Sequence, residues 1–332
     1  MAINRVGIKD FMAFKGDFAC NFRPGVNIFI GGNGTGKTTL LKCLYIAMEV
    51  FNTQKRIEQN QKHNFAGDYF LNLDAESYSF TCCNPDVDWR KGAGQIEKYV
   101  HCTVDDANSV KSGNHIFIPA KDILEHSKGL LALNNKREIP FDQTYIDILS
   151  NAEIGETHTA TPNASKALDA IKKVIGGEVL YENDTFYIVS EKGKTPFSLE
   201  ASGYRKLGLL WKLLRNGLLE KGSALFWDEP ENSLNPEIIP VLVDVLFELR
   251  RGGVQVFIAT HSYSLARWFD VKRSENSSGE IMFYNLSKSS NGGIECVSAP
   301  EYAKLPESVL DAADEKLFKA VVASAMGVQG VE

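Results

Sequence analysis

Residues 28–39 read I-F-I-G-G-N-G-T-G-K-T-T, and this stretch decides the fold. A short apolar run, residues 26–30, stops at two glycines, and the pattern G-x-x-x-x-G-K-[ST] then extends from Gly31 to Thr38. The pattern is typical of a strand that leads into a glycine-rich loop and a helix N-terminus, where backbone N–H groups converge on phosphate oxygens. Chance produces it in roughly one chain of this size per hundred. The apolar run before it and the helical pattern after it therefore favour nucleotide binding.

The residues of this loop are expected to hold a nucleotide in different ways. Lys37 is predicted to reach the β- and γ-phosphates, and the Thr38 hydroxyl is predicted to bind Mg²⁺. The predicted nucleotide-binding residues of the loop are Gly31, Gly32, Asn33, Gly34, Thr35, Gly36, Lys37, Thr38 and Thr39.

The composition is that of an ordinary globular protein. The chain has 332 residues, of which 44% are hydrophobic and 23% are charged, and this length suits one large domain or two lobes. No apolar stretch approaches the roughly 20 residues of a membrane span, and the first residues read as a strand. Six cysteines lack C-x-x-C spacing, so they indicate neither a zinc site nor a disulfide framework. We therefore expect a cytoplasmic protein without a membrane partner.

Hydrophobic periodicity predicts an α/β chain. A strand–helix–strand unit over residues 224–259 is a parallel crossover that extends the sheet holding the loop. Two N-terminal strands are expected to pair antiparallel with two later strands, and residues 84–94 are predicted to form a turn-rich connection. The predicted strands are 3–9, 17–22, 26–30, 77–83, 97–104, 114–119, 178–180, 186–189, 224–227, 254–259 and 281–285, with a hairpin at 182–184. The predicted helices are 37–50, 202–218, 236–250 and 306–326, with a mainly helical stretch over 121–176; the last helix caps the domain or binds a partner.

A second apolar strand ends in two acids, Asp228 and Glu229, which are followed by Pro230. The carboxyl end of a strand is where α/β sheets place ligands. Asp228 is predicted to hold Mg²⁺, and Glu229 is predicted to orient and deprotonate an attacking water. A strand that runs into an acidic turn is common on its own, but beside a phosphate loop we put that alternative at roughly one in ten.

Residues 256–262, V-F-I-A-T-H-S, repeat the arrangement of a buried strand with a polar tip. His261 at that tip is predicted to contact the γ-phosphate and the attacking water. A lone histidine at a strand end is usually a structural hydrogen-bonding group, and only the neighbouring strand favours the functional alternative.

Ser202 and Gly203 stand at the start of a strongly apolar helix. A hydroxyl and free backbone N–H groups at this position form an anion site. An ordinary N-cap explains the same two residues equally well.

With these segments in order, the chain resembles an ABC-type ATPase of the SMC/RecF/OLD-like branch. The resemblance covers about residues 1–290. Ser202-Gly203 occupies the signature position, although Tyr204-Arg205 replaces the Gly-Gln of L-S-G-G-Q. The matching motifs are residues 31–38 (Walker A), Ser202-Gly203 (signature), 224–229 (Walker B with the glutamate that follows it), 233–235 (D-loop) and His261 (switch histidine).

The resemblance implies a P-loop NTPase fold of the ABC-ATPase type. The core is then a mostly parallel sheet flanked by helices, with a small antiparallel β-subdomain and a helical signature lobe. The implied domains are 1–120 (first part of the core), 121–220 (helical lobe), 221–295 (second part of the core) and 296–332 (C-terminal helical tail).

The resemblance also implies hydrolysis of ATP with Mg²⁺ in a head-to-tail dimer that encloses two ATP molecules. Monomers should hydrolyse ATP slowly, because the second set of phosphate donors arrives only on dimerisation. Gln95 and Gln143 are the candidates for the Q-loop glutamine, and Phe14 is the candidate for adenine stacking. The implied site combines Lys37, Thr38, Asp228, Glu229 and His261 of one subunit with Ser202 and Gly203 of the other, and Asn235 is a further implied nucleotide-binding residue. Glu229, His261 and Lys37 are the implied catalytic residues, and Thr38 and Asp228 bind the metal.

Three biological roles stay open. In the first, the ATPase drives or gates a separate effector protein, in DNA repair or anti-phage defence, because nothing after His261 resembles a nuclease. In the second, the chain is the nucleotide-binding subunit of a transporter, which the diverged signature and the RecF-like start F-M-A-F-K-G, residues 11–16, disfavour. In the third, it binds DNA directly, although the net charge of −6 lacks a broad basic footprint. The candidate DNA contacts are Lys121, Lys128, Lys136 and Arg137. Charged residues of this kind more often form a solvated surface.

Overall fold

A computed structural model describes residues 2–54, 78–83, 86–91, 99–104, 114–122, 124, 129, 130, 134, 142–156, 160–273, 280–306 and 309–326. Of residues 50–54 and of the strands between 78 and 104 it describes the backbone. The strands are β1 Ile3–Phe11, β2 Phe14–Asn21, β3 Val26–Ile30, β4 Tyr78–Cys83, β5 Asp86–Lys91, β6 Tyr99–Val104, β7 His115–Ile118, β8 Glu178–Glu182, β9 Thr185–Ser190, β10 Gly193–Pro196, β11 Ala224–Asp228, β12 Gln255–Ala259, β13 Ile281–Lys288 and β14 Ile294–Ala299. The α-helices are α1 Lys37–Gln54, α2 Gln143–Glu153, α3 Pro162–Ile175, α4 Ser202–Arg215, α5 Ile239–Arg251, α6 Tyr263–Lys272 and α7 Val309–Ala325.

The core of the molecule is a six-stranded sheet in the order β14-β13-β3-β12-β11-β7. All neighbouring strands are parallel except β13 and β14, which pair antiparallel. The unit β11-α5-β12 is the predicted parallel crossover. Strand β3 lies between β12 and β13, so the loop after it opens at the same sheet edge as the ends of β11 and β12. This topology confirms the predicted α/β class with a mostly parallel core sheet.

Both faces of the core sheet are covered, as parallel strands require. Side chains of β3 alternate between the faces. Ile28 belongs to the apolar cluster formed with helices α2 to α6, whereas Phe29 belongs to the cluster formed with α1 and the N-terminal strands. On that second face Phe29, Phe257 and Phe226 form a row across three strands, with neighbouring ring planes 7° apart. Phe22, which follows β2, packs its ring edge-on against Phe29 and Phe257.

The N-terminal strands belong to a five-stranded antiparallel sheet in the order β2-β1-β6-β5-β4. This confirms the predicted small antiparallel sheet. The turn-rich connection predicted for residues 84–94 is wrong in part, because strand β5 lies there. Its sequence D-V-D-W-R-K alternates apolar and charged residues with the period of a strand. The flanking Asn84-Pro85 and the glycines at 92 and 94 hid that period.

The lobe between the two parts of the core contains helices α2, α3 and α4 and a third sheet, β10-β9-β8. The predicted hairpin is confirmed, and its two-residue turn places Asn183 and Asp184 at φ values of 50° and 58°, as a type I′ turn requires. Helix α4 begins at Ser202 as predicted but ends at Arg215, because a left-handed glycine follows it. Leu218 therefore lies outside the helix, although its side chain is buried.

Helix α7 lies on the outside of the domain, against α6. The Tyr302 hydroxyl donates a hydrogen bond to Asp311 Oδ1 at 2.9 Å and ties the start of the helix to the core. Leu317, Phe318 and Val321 are each more than half exposed, so this part of α7 leaves an apolar surface open and does not cap the core. Among the described helices, none combines the length and the apolar character needed to cross a membrane.

Candidate nucleotide site

The glycines of the loop after β3 are required by its shape. Gly31 has a φ of 144°, a conformation that is essentially restricted to glycine. A Cβ atom at this position would lie 2.2 Å from the carbonyl oxygen of Leu286 on strand β13. Gly36 has a φ of 82°, and a Cβ atom there would lie 2.8 Å from the Phe14 ring. Strand β13 and the start of β2 thus form two walls of the loop.

Lys37 folds back onto the loop that precedes it. Its Nζ donates hydrogen bonds to the carbonyl oxygens of Gly31 at 2.8 Å and Gly32 at 2.9 Å. Burial lowers the pKa of Lys37 to about 8, although the negative charges of Asp228 and Glu229 oppose that shift. The ammonium group is therefore largely protonated at neutral pH and sits where phosphate oxygens can replace the carbonyl partners.

The remaining loop residues differ in exposure. The hydroxyl of Thr35, a buried residue, donates to the Gly32 carbonyl oxygen at 2.9 Å and closes the loop on itself. Asn33 and Gly34 are exposed at its tip, Thr38 is exposed in the first turn of α1, and Thr39 is half-buried. The predicted phosphate-contacting groups are thus presented at the sheet edge.

Thr38 and Asp228 meet at the start of α1. The Thr38 hydroxyl donates a hydrogen bond to Asp228 Oδ2 at 2.9 Å. Burial raises the pKa of Asp228 to about 6, the hydrogen bond from Thr38 lowers it, and the charge of Glu229 raises it. The described residues hold no group of three or more His, Cys, Asp or Glu that would bind a metal alone. A hydroxyl, one carboxylate and phosphate oxygens are nevertheless the donor set that Mg²⁺ takes in nucleotide sites, so these two residues fit the predicted metal site.

The raised pKa of Asp228 predicts that Mg²⁺-dependent nucleotide binding weakens in acid. A protonated carboxyl cannot bind the cation, so affinity should fall about tenfold between pH 7 and pH 5, as the pH passes through the folded-state pKa near 6. The measurement is a titration with a non-hydrolysable fluorescent ATP analogue and Mg²⁺ across this range.

The control for this titration is Asp228→Asn. The affinity of this variant should change with pH only because the phosphate groups of the analogue become protonated, an effect that is the same in both proteins. Identical pH profiles for the wild type and Asp228→Asn would show that the carboxyl of Asp228 does not hold the cation.

Glu229 stands in a strained backbone conformation beside His261. Its φ of 47° lies in the left-handed region, which few residues other than glycine adopt. Its N–H donates to the Ala259 carbonyl oxygen at 2.8 Å, and its Oε1 lies 3.3 Å from His261 Nε2. Burial lowers the pKa of His261, and the charge of Lys37 acts in the same direction, so the imidazole is neutral near pH 7. The structure therefore brings the two predicted catalytic side chains within hydrogen-bond reach.

Glu231 is a site residue that the sequence analysis missed. The hydroxyl of Thr260 donates to Glu231 Oε1 at 2.6 Å, and the N–H of His261 donates to the same oxygen at 3.2 Å. The other carboxylate oxygen is buried and lacks a hydrogen-bond partner within the described part of the chain. Glu231 thus connects the residues after β11 to the tip of β12. In the sequence, its position close to Asp228 in the run D-E-P-E is the feature that indicates a site residue.

Ser202 and Gly203 lie against the D-loop stretch. Ala201 occupies the N-cap position without a side-chain hydrogen bond, so Ser202 is the first residue of the helix and the ordinary N-cap alternative is wrong. A Cβ atom on Gly203 would lie 2.9 Å from the Ser233 carbonyl oxygen and 3.2 Å from a Leu234 methyl carbon. Within the described residues, the N–H groups of Ser202 and Gly203 have no acceptor. This helix end therefore offers free donors, and its closest described neighbours belong to the D-loop.

Two neighbouring residues have structural tasks. The side chain of Asn235 accepts a hydrogen bond from the Glu237 N–H at 3.1 Å and caps a short 3-10 turn. Arg205, which stands where the family has glutamine, is buried, and it donates to Asp122 at 2.5 Å and to the Glu200 carbonyl oxygen at 2.7 Å. Its guanidinium fastens the beginning of α4 to the core, so this departure from the family signature serves packing.

The remaining candidates are those for adenine stacking, for the Q-loop and for DNA contacts. Phe14 is fully buried, with its ring 4.6 Å from that of Phe18, so it has no face open to adenine and the stacking prediction is wrong. Gln143 is the first residue of α2, and its amide donates to Asp147 Oδ1 at 2.8 Å. Lys121 is exposed. Gln95, Lys128, Lys136 and Arg137 lie outside the described residues.

Comparisons with known proteins agree with this geometry. A family model described as "AAA ATPase domain" matches residues 1–81, and one described as "AAA domain, putative AbiEii toxin, Type IV TA system" matches residues 110–267. The first match contains the phosphate loop, and the second contains the signature position, the two acids and the switch histidine. No curated protein matches the chain.

Several solved structures are similar to the chain at low sequence identity. An SMC head bound to the C-terminal winged-helix domain of ScpA is 13% identical, with a TM-score of 0.52 over 91% of this chain and 99% of that one. The SMC head domain from Thermotoga maritima is 18% identical over 90% and 99%, with a TM-score of 0.47. An ATP-binding cassette of an ABC transporter in its ADP conformation is 12% identical over 97% and 99%, with a TM-score of 0.42. The two family models are described as an AAA ATPase domain and an AAA domain, and the SMC head shares the fold, so the chain has the fold of a P-loop ATPase and resembles the ABC-type ATPases of the SMC/RecF/OLD-like kind.

Proposed function

We propose that the chain hydrolyses ATP to ADP and phosphate, with Thr38 and Asp228 holding Mg²⁺. One observation carries the proposal. The side chains of Glu229 and His261 lie 3.3 Å apart at the ends of β11 and β12, next to the phosphate loop and the Thr38–Asp228 pair. A base, a neutral imidazole and a metal-binding pair at one sheet edge are the parts that hydrolysis of a γ-phosphate requires.

In this proposal Glu229 takes a proton from the attacking water. The water oxygen forms a bond to the γ-phosphorus, the bond from that phosphorus to the ADP oxygen breaks, and the proton moves to the Glu229 carboxylate. Neutral His261 donates a hydrogen bond to a γ-phosphate oxygen. The Lys37 ammonium stabilises the negative charge that grows on the phosphate oxygens.

We further propose that the complete site forms between two copies of the chain. The N–H groups that begin α4 have no acceptor in the described residues, and their helix end carries a partial positive charge. Gly203 lies beside Ser233 and Leu234 in the D-loop of its own subunit. A second copy, placed head to tail, would bring Ser202, Gly203 and Asn235 to the ATP held by the first.

A mixing experiment tests the shared site. Lys37→Ala removes the phosphate-binding ammonium, and Ser202→Asp places a negative charge where the partner's phosphate would bind. Each variant alone should lose turnover, whereas a mixed dimer contains one intact composite site. An equimolar mixture should therefore recover up to about a quarter of wild-type ATPase activity. The measurement is phosphate release against mixing ratio.

Ser202→Asp suits this experiment because the Ser202 side chain makes no capping hydrogen bond and an acidic residue in the first helical turn does not weaken the helix. Thermal unfolding should confirm that both variants keep wild-type stability. Activity of the mixture no higher than the sum of its two components would contradict a shared site.

We propose that this ATPase drives or gates a separate effector protein in DNA repair or anti-phage defence. One matched family model is described with a toxin of a type IV toxin–antitoxin system, and a solved SMC head is bound to a winged-helix domain of another protein. The exposed apolar side chains of α7 offer a surface on which a partner can bury area. The effector should co-purify with a Glu229→Gln variant in ATP and Mg²⁺ and be absent from a Lys37→Ala preparation. Equal recovery of the effector from both variants would show that its binding does not depend on the nucleotide state.

A further inference from the structure

The strained backbone at Glu229 is held by a side chain from the signature helix. The Nζ of Lys206 donates a hydrogen bond to the Glu229 carbonyl oxygen at 3.0 Å. The same oxygen accepts a bond from the Asn232 N–H at 3.1 Å, and the Glu229 N–H donates to the Ala259 carbonyl oxygen at 2.8 Å. A left-handed residue that is not glycine persists only where its surroundings determine it. Lys206 is the one side chain among these contacts.

Lys206 is an unusual residue for its position. It is 4% exposed, and within the described residues no carboxylate oxygen lies within ion-pair distance of its Nζ. Burial lowers its pKa, whereas the nearby charges of Glu231, Asp122 and Glu229 raise it. A buried ammonium without a close ion-pair partner is unfavourable for stability compared with an apolar side chain of the same volume. Packing alone therefore does not explain a lysine here.

The position of Lys206 on α4 links two parts of the site. It lies one helical turn after Ser202 and Gly203. A Cβ atom on Gly203 would lie 2.9 Å from the Ser233 carbonyl oxygen, and the Lys206 Nζ donates to the Glu229 carbonyl oxygen, so α4 lies close to both ends of the segment that follows β11. A ligand that moves the start of α4 would therefore move the backbone of Glu229.

We propose that Lys206 is a positioning residue, which holds the backbone of Glu229 and transmits ligand binding at Ser202 and Gly203 to that carboxylate. The proposal rests on the function proposed above. Lys206 does not touch the reacting atoms. Its ammonium fixes the direction of the Glu229 side chain by fixing the peptide that bears it.

The test compares two buried lysines of α4. Lys206→Met removes the ammonium and keeps the apolar stem, and we expect kcat to fall about 10- to 100-fold with KM for ATP nearly unchanged, because a displaced base loses alignment with the water. Lys206→Arg keeps a charged donor and should restore part of the lost kcat. Lys212→Met is the matched control. Lys212 is 5% exposed on the same helix, but its Nζ lies 3.4 Å from Glu156, outside the site.

A second measurement keeps the proposal testable without turnover. Hydrogen exchange at the Glu229 and Asn232 amides should become faster in Lys206→Met and stay at the wild-type rate in Lys212→Met. If the wild type hydrolyses no ATP, the proposed function fails and this exchange still decides whether Lys206 holds Glu229. Wild-type kcat in Lys206→Met, equal losses of kcat in the two variants, or unchanged exchange would overturn the proposal.

Discussion

Replacing Glu229 with glutamine is expected to lower ATP turnover by about 10²- to 10³-fold while nucleotide affinity stays within a factor of a few. Glutamine has the size of glutamate and retains a carbonyl oxygen for His261, 3.3 Å away in the wild type, but it cannot accept the proton of the attacking water. ATP then binds and is not cleaved, so the closed dimer should accumulate. Steady-state phosphate release measures the loss, and light scattering with ATP and Mg²⁺ measures the dimer.

The control for this variant is Glu220→Gln, the same change in an exposed residue at the opposite, amino end of strand β11. It should retain wild-type turnover. Wild-type turnover in Glu229→Gln itself would show that Glu229 is not the base.

Replacing Gly31 with alanine is expected to abolish nucleotide binding and to lower the free energy of unfolding by about 3 kcal/mol. Two effects add at this position. The φ of 144° is unfavourable for alanine, and the new methyl group would lie 2.2 Å from the Leu286 carbonyl oxygen, a backbone atom that cannot turn away. Either strand β13 or the loop must move, and both form the phosphate site. Titration with a fluorescent ATP analogue and chemical denaturation measure the two losses.

Gly16→Ala separates backbone strain from steric collision. Gly16 is also left-handed, with a φ of 72°, but no heavy atom lies within 4 Å of its missing Cβ. This variant should lose about 1 kcal/mol and bind nucleotide normally. Nucleotide binding by Gly31→Ala at wild-type affinity would show that the wall formed by Leu286 is not needed.

Local patterns account for the parts of the protein that sequence predicts well. The loop before Thr38 and the acids after β11 each combine an apolar strand with a polar end, and a parallel sheet places such ends at one edge. The resemblance assigns Ser202 and Gly203 to the signature position, whereas the local sequence pattern fits an N-cap and an anion site equally well. The free N–H groups of Ser202 and Gly203 show why that choice needed the structure.

The residues that sequence did not identify act through contacts between distant segments. Lys206 and Glu231 lie 25 residues apart, and each contacts the backbone of a predicted catalytic residue. No spacing rule marks a lysine that binds a carbonyl oxygen or a glutamate that accepts two donors from another strand. The adenine-stacking prediction for Phe14 is wrong for the converse reason. This aromatic residue is close to the loop in sequence, but its side chain is buried in the core.

The placement of β3 has a consequence for the order in which the protein is made. This strand is synthesised before both of its sheet neighbours, β12 and β13, and Leu286 forms a wall of the loop. During translation the phosphate loop therefore lacks its final surroundings until about 250 further residues have been added. The exposed apolar strand must meanwhile be kept from aggregating, as is typical of chains with such distant strand pairs. The phosphate loop is thus complete only in a nascent chain that has assembled its core sheet.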